Sequence, residues 1–115
     1  MDQQLEKMAK WREYGILPFP ATASVGWDPL PWSRDDDTAP WLNRDKITRW
    51  YLTPAEHEAL LRRVKAFADY FPSDSLMRRM LLIDNWNEWG EGHFVSPHAA
   101  AGFGYLQAIW NVFTL

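Results

Sequence analysis

Four consecutive apolar residues, Met80-Leu81-Leu82-Ile83, run without a break into Asp84-Asn85-Trp86-Asn87-Glu88. An apolar run with no polar alternation predicts a strand buried on both faces, the usual condition of strands in parallel sheets. The switch to polar residues marks the carboxyl end of that strand. In parallel α/β folds, active sites gather at this end of the strands. Asp84, Asn87, Glu88 and Glu91 therefore stand where chemistry is expected.

The elements leading to this run are consistent with a parallel α/β fold. Residues 2–14 read as a short helix, capped by Asp2 and turned inward along Leu5, Met8 and Ala9. Ile16-Leu17-Pro18-Phe19-Pro20-Ala21 reads as a short strand with a stiff exit, because alternate prolines forbid a helix. Residues 24–52 form a long irregular region rich in proline and tryptophan; a loop of that length in a compact domain is usually functional or disordered, and its aromatic content favours function. Its acidic triplet, Asp35-Asp36-Asp37, reads as a solvated turn.

Thr53-Pro54-Ala55-Glu56 is a capping box with proline at the first helical position. Leu60, Leu61, Val64, Phe67, Ala68 and Phe71 then recur at helical spacing, predicting a one-sided helix over residues 54–71. His57 is expected at the surface beside the cap. Leu61 occupies the fourth position after it, so no two-histidine metal motif is present. Ser73-Asp74-Ser75 connects to the apolar strand. A last helix over residues 99–113 would present Phe103, Leu106, Ile109 or Trp110, and Phe113 on one face. The order is helix, strand, long loop, helix, strand, loop, helix: two parallel β/α units with a preceding helix.

Composition narrows the function. Apolar residues make up 47% of the 115, enough for one globular core and against disorder. A net charge of −3 with scattered basic residues excludes a nucleic-acid footprint. The absence of cysteine removes disulfide frameworks and thiolate metal sites. No apolar run reaches the ~20 residues of a membrane span. Met1-Asp2-Gln3-Gln4-Leu5-Glu6-Lys7 has no apolar leader, so the chain is expected in the cytoplasm if Met1 is the true start. Eight tryptophans are many for this length, and several lie beside Pro, Gly and Asp. Indoles in such loops line pockets, where sugar rings stack on them.

The strand end carries the sharpest constellation. Two carboxylates flanking a glycosidic bond are the ordinary requirement for its cleavage, one as proton donor and one as nucleophile or base. Glu88 and Glu91 are three apart and would diverge on a regular strand. Gly90 and Gly92 permit a sharp bend that turns both acids into one pocket. Trp86 and Trp89 would wall it, their apolar surface suiting one acid to donate a proton. The bland alternative is that both are loop acids bonded to nearby backbone donors. His93 and His98 lie close by, but two histidines without a third ligand fall short of a zinc site. No metal and no cofactor is called for.

The segment Trp86-Asn87-Glu88-Trp89-Gly90-Glu91-Gly92-His93-Phe94, then Pro97, then Gly102-Phe103-Gly104-Tyr105-Leu106, resembles the closing segment of the WbsX-type, glycoside hydrolase family 99-like proteins. Gly26-Trp27-Asp28 is similar to an upstream element of the same group. Ser96 stands where those families often carry an acid, and Pro29-Leu30-Pro31-Trp32 replaces their polar and basic continuation. The resemblance implies the C-terminal part of a (β/α)8 TIM-type barrel, with residues 1–115 as a single partial domain. It implies Glu88 as the group assisting the substrate's own 2-hydroxyl, through an anhydrosugar, and Glu91 as general acid/base. Trp27, Asp28, Trp86, Asn87, Trp89 and His93 would contact an oligo- or polysaccharide. Hydrolysis and glycosyl transfer both remain open.

A barrel of this type takes about 250 residues, so a missing N-terminal part of the barrel is the expected partner. The alternatives are a non-catalytic carbohydrate-binding remnant and a structural protein whose aromatic loops pack on another chain.

Overall fold

A computed structural model describes residues 2–14, 20–29 and 48–114, apart from the side chains of Asp2, Trp11, Arg12 and Tyr14. Helix α1 spans Asp2–Tyr14, strand β1 Ala21–Ser24, β2 Gly26–Trp27 and β3 Trp50–Tyr51. Helix α2 spans Pro54–Ala68, α3 Leu76–Arg79, β4 Leu81–Asp84, β5 Asn87–Glu88, β6 His93–Phe94 and α4 Gly104–Phe113. A single 3-10 turn, Trp89–Glu91, joins β5 to β6.

β1 and β4 pair in parallel, Ala21 opposite Leu81 and Ser24 opposite Asp84. Both strands thus end level, and the loops after them leave the same edge of the sheet. Parallel partners need a long crossover, and α2 lies between them in the chain. The Gln4 amide, projecting from α1, holds the backbone of Ser24 from outside: its Nε2 donates to the Ser24 carbonyl and its Oε1 accepts from the Ser24 amide. Two short antiparallel pairs stand beyond the strand ends. β2 pairs with β3 and β5 with β6.

The capping box forms as the sequence requires. Thr53 Oγ1 accepts from the Glu56 amide, and Glu56 Oε2 accepts from the Thr53 amide at 2.7 Å. Leu60, Leu61 and Val64 on α2 are fully buried, in one cluster with the buried side chains of Met8, Ala21, Ala23, Leu52 and Val112. Each such leucine contributes about 1.5–3 kcal/mol by leaving water. A second, smaller cluster joins Val25, Val95 and Tyr105 under the strand-end loops. Asn111 on α4 donates to Glu58 on α2 at 2.8 Å, closing the outer rim of that helix pair.

Several boundaries differ from the sequence reading. The first strand falls at Ala21–Ser24, later than the proline-containing stretch; residues 15–19 lie outside the described set, as does most of the long loop with Trp32, Asp35, Asp36, Asp37 and Trp41. α2 stops at Ala68, where Asp69 and Phe71 turn the chain back onto the last carbonyls of the helix. Ser75 caps the unexpected short helix α3, and Met80 ends it, so β4 starts at Leu81.

α4 begins only at Gly104, because a bridge between His98 and Gly102 and the left-handed Gly102 (φ 54°) hold the preceding residues in a turn. Its buried stripe is Tyr105, Ala108 and Val112. Of the face expected to be buried, Phe103 (71% exposure), Trp110 (64%) and Phe113 are exposed, whereas Ile109 packs partly buried against the core. Ala108, the small residue of that stripe, is buried at 2% exposure. β4 is also not covered on both faces: Leu82 is 42% exposed. His57 was expected at the surface and is fully buried.

Candidate active site

The level ends of β1 and β4 decide what meets what. Val25-Gly26-Trp27-Asp28 leaves β1, and Asn85 to Gly92 leaves β4, on one edge. The Asp28 amide donates to the Glu91 carbonyl at 2.7 Å, tying the two loops together. Val95 donates to the carbonyls of Asn85 and Trp86, and Ser96 to that of Trp86, which closes the turn after β4 into a compact loop. Gly92 makes the closure possible. Its φ is +63°, and a Cβ there would lie 2.7 Å from Cβ of Asp28, so both handedness and space demand glycine. Gly90 lies within the 3-10 turn, and Gly92 alone of the pair takes a positive φ.

Three ionisable side chains form a line across this loop. His93 Nε2 lies 2.9 Å from Glu91 Oε2, and His93 Nδ1 lies 3.2 Å from Asp84 Oδ2. His93 is buried at 8% exposure, with the Trp27 ring tilted over it at 5.6 Å. Asp84, the last residue of β4, and Glu91, in the 3-10 turn, are both partly buried. Among the described residues, no group of three or more His, Cys, Asp or Glu side chains converges to hold a metal ion.

Tyr51, on β3, donates to Asp28 Oδ2 at 2.6 Å. Partial burial of the phenol, then the hydrogen bond and the charge of Asp28, push the Tyr51 hydroxyl up to about 12. It therefore remains a donor at any physiological pH and fixes the Asp28 carboxylate.

The structure brings Trp27, Asp28, Glu91 and His93 together. Glu88 sits beside them on β5, paired across the ladder with His93. Trp86 and Trp89 are half exposed, and Asn87 is exposed. The Trp89 ring is tilted against Phe94 at 3.9 Å between centroids, with His98 edge-on at 6.1 Å. A cavity of about 400 Å³ opens beside this aromatic group, lined by Tyr51, Gly92, Phe94, His98 and Tyr105 among others. Neither Glu88 nor Glu91 lines it. The sequence reading missed Tyr51 as a site residue and left Asp84 without a role. The position of Asp84 at the strand end was the available signal for it.

Residues 21–109 match the family described as Glycosyltransferase WbsX. The match begins at β1 and ends within α4, so it spans both parallel strands and the whole strand-end constellation. The chain belongs to the WbsX glycosyltransferase family. No curated protein and no solved structure matches it. WbsX membership makes this a domain of a glycan-active enzyme family, for which a carbohydrate substrate fits. The α/β architecture, with one parallel pair and two antiparallel pairs, agrees with the coarse fold expected from sequence. Among the described residues of this WbsX chain, no helix is long and apolar enough to cross a membrane.

Proposed function

We propose that this WbsX chain carries the carboxylate end of a glycosidic-bond-processing site, related in chemistry to glycoside hydrolase family 99. Glu91 is its general acid/base and Glu88 its second carboxylate. The observation that carries the reading is the bond from the Asp28 amide to the Glu91 carbonyl. It fastens the Gly26-Trp27-Asp28 loop to the Glu88–Glu91 turn at the level ends of two parallel strands.

In this reading Glu88 takes the proton of the substrate 2-hydroxyl as O2 attacks C1, and the bond from C1 to the leaving oxygen breaks. Glu91 gives its proton to that oxygen. Glu91, now a carboxylate, then takes a proton from an incoming water or glycan hydroxyl as its oxygen attacks C1. The anhydrosugar opens and O2 recovers its proton from Glu88. Trp27, Trp86 and Trp89 offer indole faces for sugar stacking, while Asp28 and Asn87 offer hydrogen bonds. Water as acceptor gives hydrolysis; a sugar hydroxyl gives transfer.

The same reading makes β1 and β4 neighbouring strands of a (β/α)8 barrel, of which residues 1–115 form a partial domain. Leu82, Phe103, Trp110 and Phe113 support it, since all are exposed apolar side chains that further barrel elements would cover.

The test is turnover of α-mannan oligosaccharides by the protein expressed from its full reading frame, beside its Glu91→Gln variant. A loss of roughly 10²- to 10⁴-fold in kcat is expected. Equal rates in the two proteins would sink the assignment. Glycan binding that survives both Glu88→Gln and Glu91→Gln, with no turnover in the parent, would leave the tryptophan surface a binding role alone.

A further inference from the structure

A carboxyl that protonates a leaving oxygen acts best when held in one orientation, and His93 is buried beside Glu91. Its ring stands between two carboxylates, 3.2 Å from Asp84 on one side and 2.9 Å from Glu91 on the other. A buried imidazole with both nitrogens engaged has none left for a sugar hydroxyl. We infer that His93 is a positioning residue: it holds the Glu91 carboxyl through Nε2 and is itself held by Asp84 through Nδ1. The inference rests on the proposed role of Glu91.

The arrangement is specific in its atoms. Only Oε2 of Glu91 is taken by the ring, and Oε1 has no hydrogen-bond partner among the described residues. One oxygen is thereby anchored and the other left for the reacting bond. Each of the two N···O contacts needs one hydrogen, whereas a neutral imidazole brings one and an imidazolium two. Asp84 supplies the fixed end: it is the last residue of β4, level with Ser24, so its position is set by the sheet. The Trp27 ring limits access of water to the imidazole from above.

Two measurements on the full chain test this. In the first, the histidine ring nitrogens are labelled with ¹⁵N and observed by NMR in the parent, Asp84→Asn and Glu91→Gln. The expected result is that Asp84→Asn moves mainly the Nδ1 signal and Glu91→Gln mainly the Nε2 signal. A ring whose two signals ignore both substitutions overturns the inference, whatever the activity. In the second, His93→Gln is assayed on an α-linked mannan oligosaccharide and on 2,4-dinitrophenyl α-mannoside, whose leaving group needs no proton. Misplacing the acid should lower kcat about 100-fold on the oligosaccharide, with KM little changed and most of the loss absent on the aryl substrate. Equal losses on both substrates, or a raised KM at unchanged kcat, overturn it.

Asp84→Asn keeps the shape of the strand end and should show a smaller loss with the same substrate pattern, which covers the case where His93→Gln fails to fold. Full activity in Glu91→Gln defeats the proposed function alone, because the NMR couplings still decide whether the three side chains form one unit.

Discussion

The helical core between α2 and α4 buries His57 at 0% exposure, and the turn after β4 buries His93 at 8%. The two are treated as different residues. His57 has no hydrogen-bond partner for either ring nitrogen among the described residues. It meets the edge of the Tyr105 ring at 5.8 Å, and burial pushes its pKa down to about 4. It is packed as a neutral, nearly apolar disc. His93 spends both nitrogens on carboxylates. Burial alone therefore does not say what a histidine is for; the neighbours that enter with it do. The buried core between α2 and α4 keeps charge to its rim, where Glu58 pairs with Arg62 and Asn111, and the strand-end turn concentrates it.

The sharpest way to separate the two regions is to damage the core alone. Leu61 is fully buried on α2, away from the strand-end loop. Leu61→Ala should cost about 2–5 kcal/mol in a denaturant unfolding experiment. Its remaining folded fraction should keep the His93 ring signals of the parent. If those signals move as well, the two regions are one cooperative network and the contrast breaks down.

Acid should act next most strongly, and through the core. His57 titrates near 6.5 when unfolded and at about 4 when folded. Between those values the unfolded chain binds the extra proton, so stability rises with pH there. The contribution is full above pH 6.5 and is lost as pH falls towards 4. Its size is on the order of 3 kcal/mol. Thermal melts from pH 7 to pH 4 should therefore show a steeper loss in the parent than in His57→Leu. Parallel curves would mean that water or a partner reaches the ring.

The outline of both regions was legible in the sequence, and their interiors less so. The capping box Thr53 to Glu56, the apolar stripe of α2 and the strand ending at Asp84 came from local patterns that act within one or two turns of chain. The outward face of α4 did not, because Phe103, Trp110 and Ala108 are ranked by neighbours that periodicity does not name. His57 fails for the same reason: on a helical wheel it adjoins Leu60 and Leu61, yet its polarity argued for water. At the site, the Glu88–Glu91 bend was readable from Gly92. The link from Asp28 to Glu91 and the bond from Tyr51 to Asp28 depend on β1 and β4 ending level, which only the sheet register fixes.

The smallest effect tests how local the core's seal is. Thr53 caps α2 through its hydroxyl, and its carbonyl accepts the amide of His57 at 2.8 Å. Thr53→Ala removes the side-chain half of the box and should cost about 1 kcal/mol. Helix ends open first, so amide exchange should quicken over the first turn of α2, including at His57. The Asp28 amide, bonded to Glu91 in the other region, should exchange as before. Its hydrogen bond is made by loops that follow β1 and β4, and no cap on α2 holds them. If exchange rises equally at Asp28, the strand-end site leans on the helix cap. The two histidines would then share one fate on opening, despite their different neighbours.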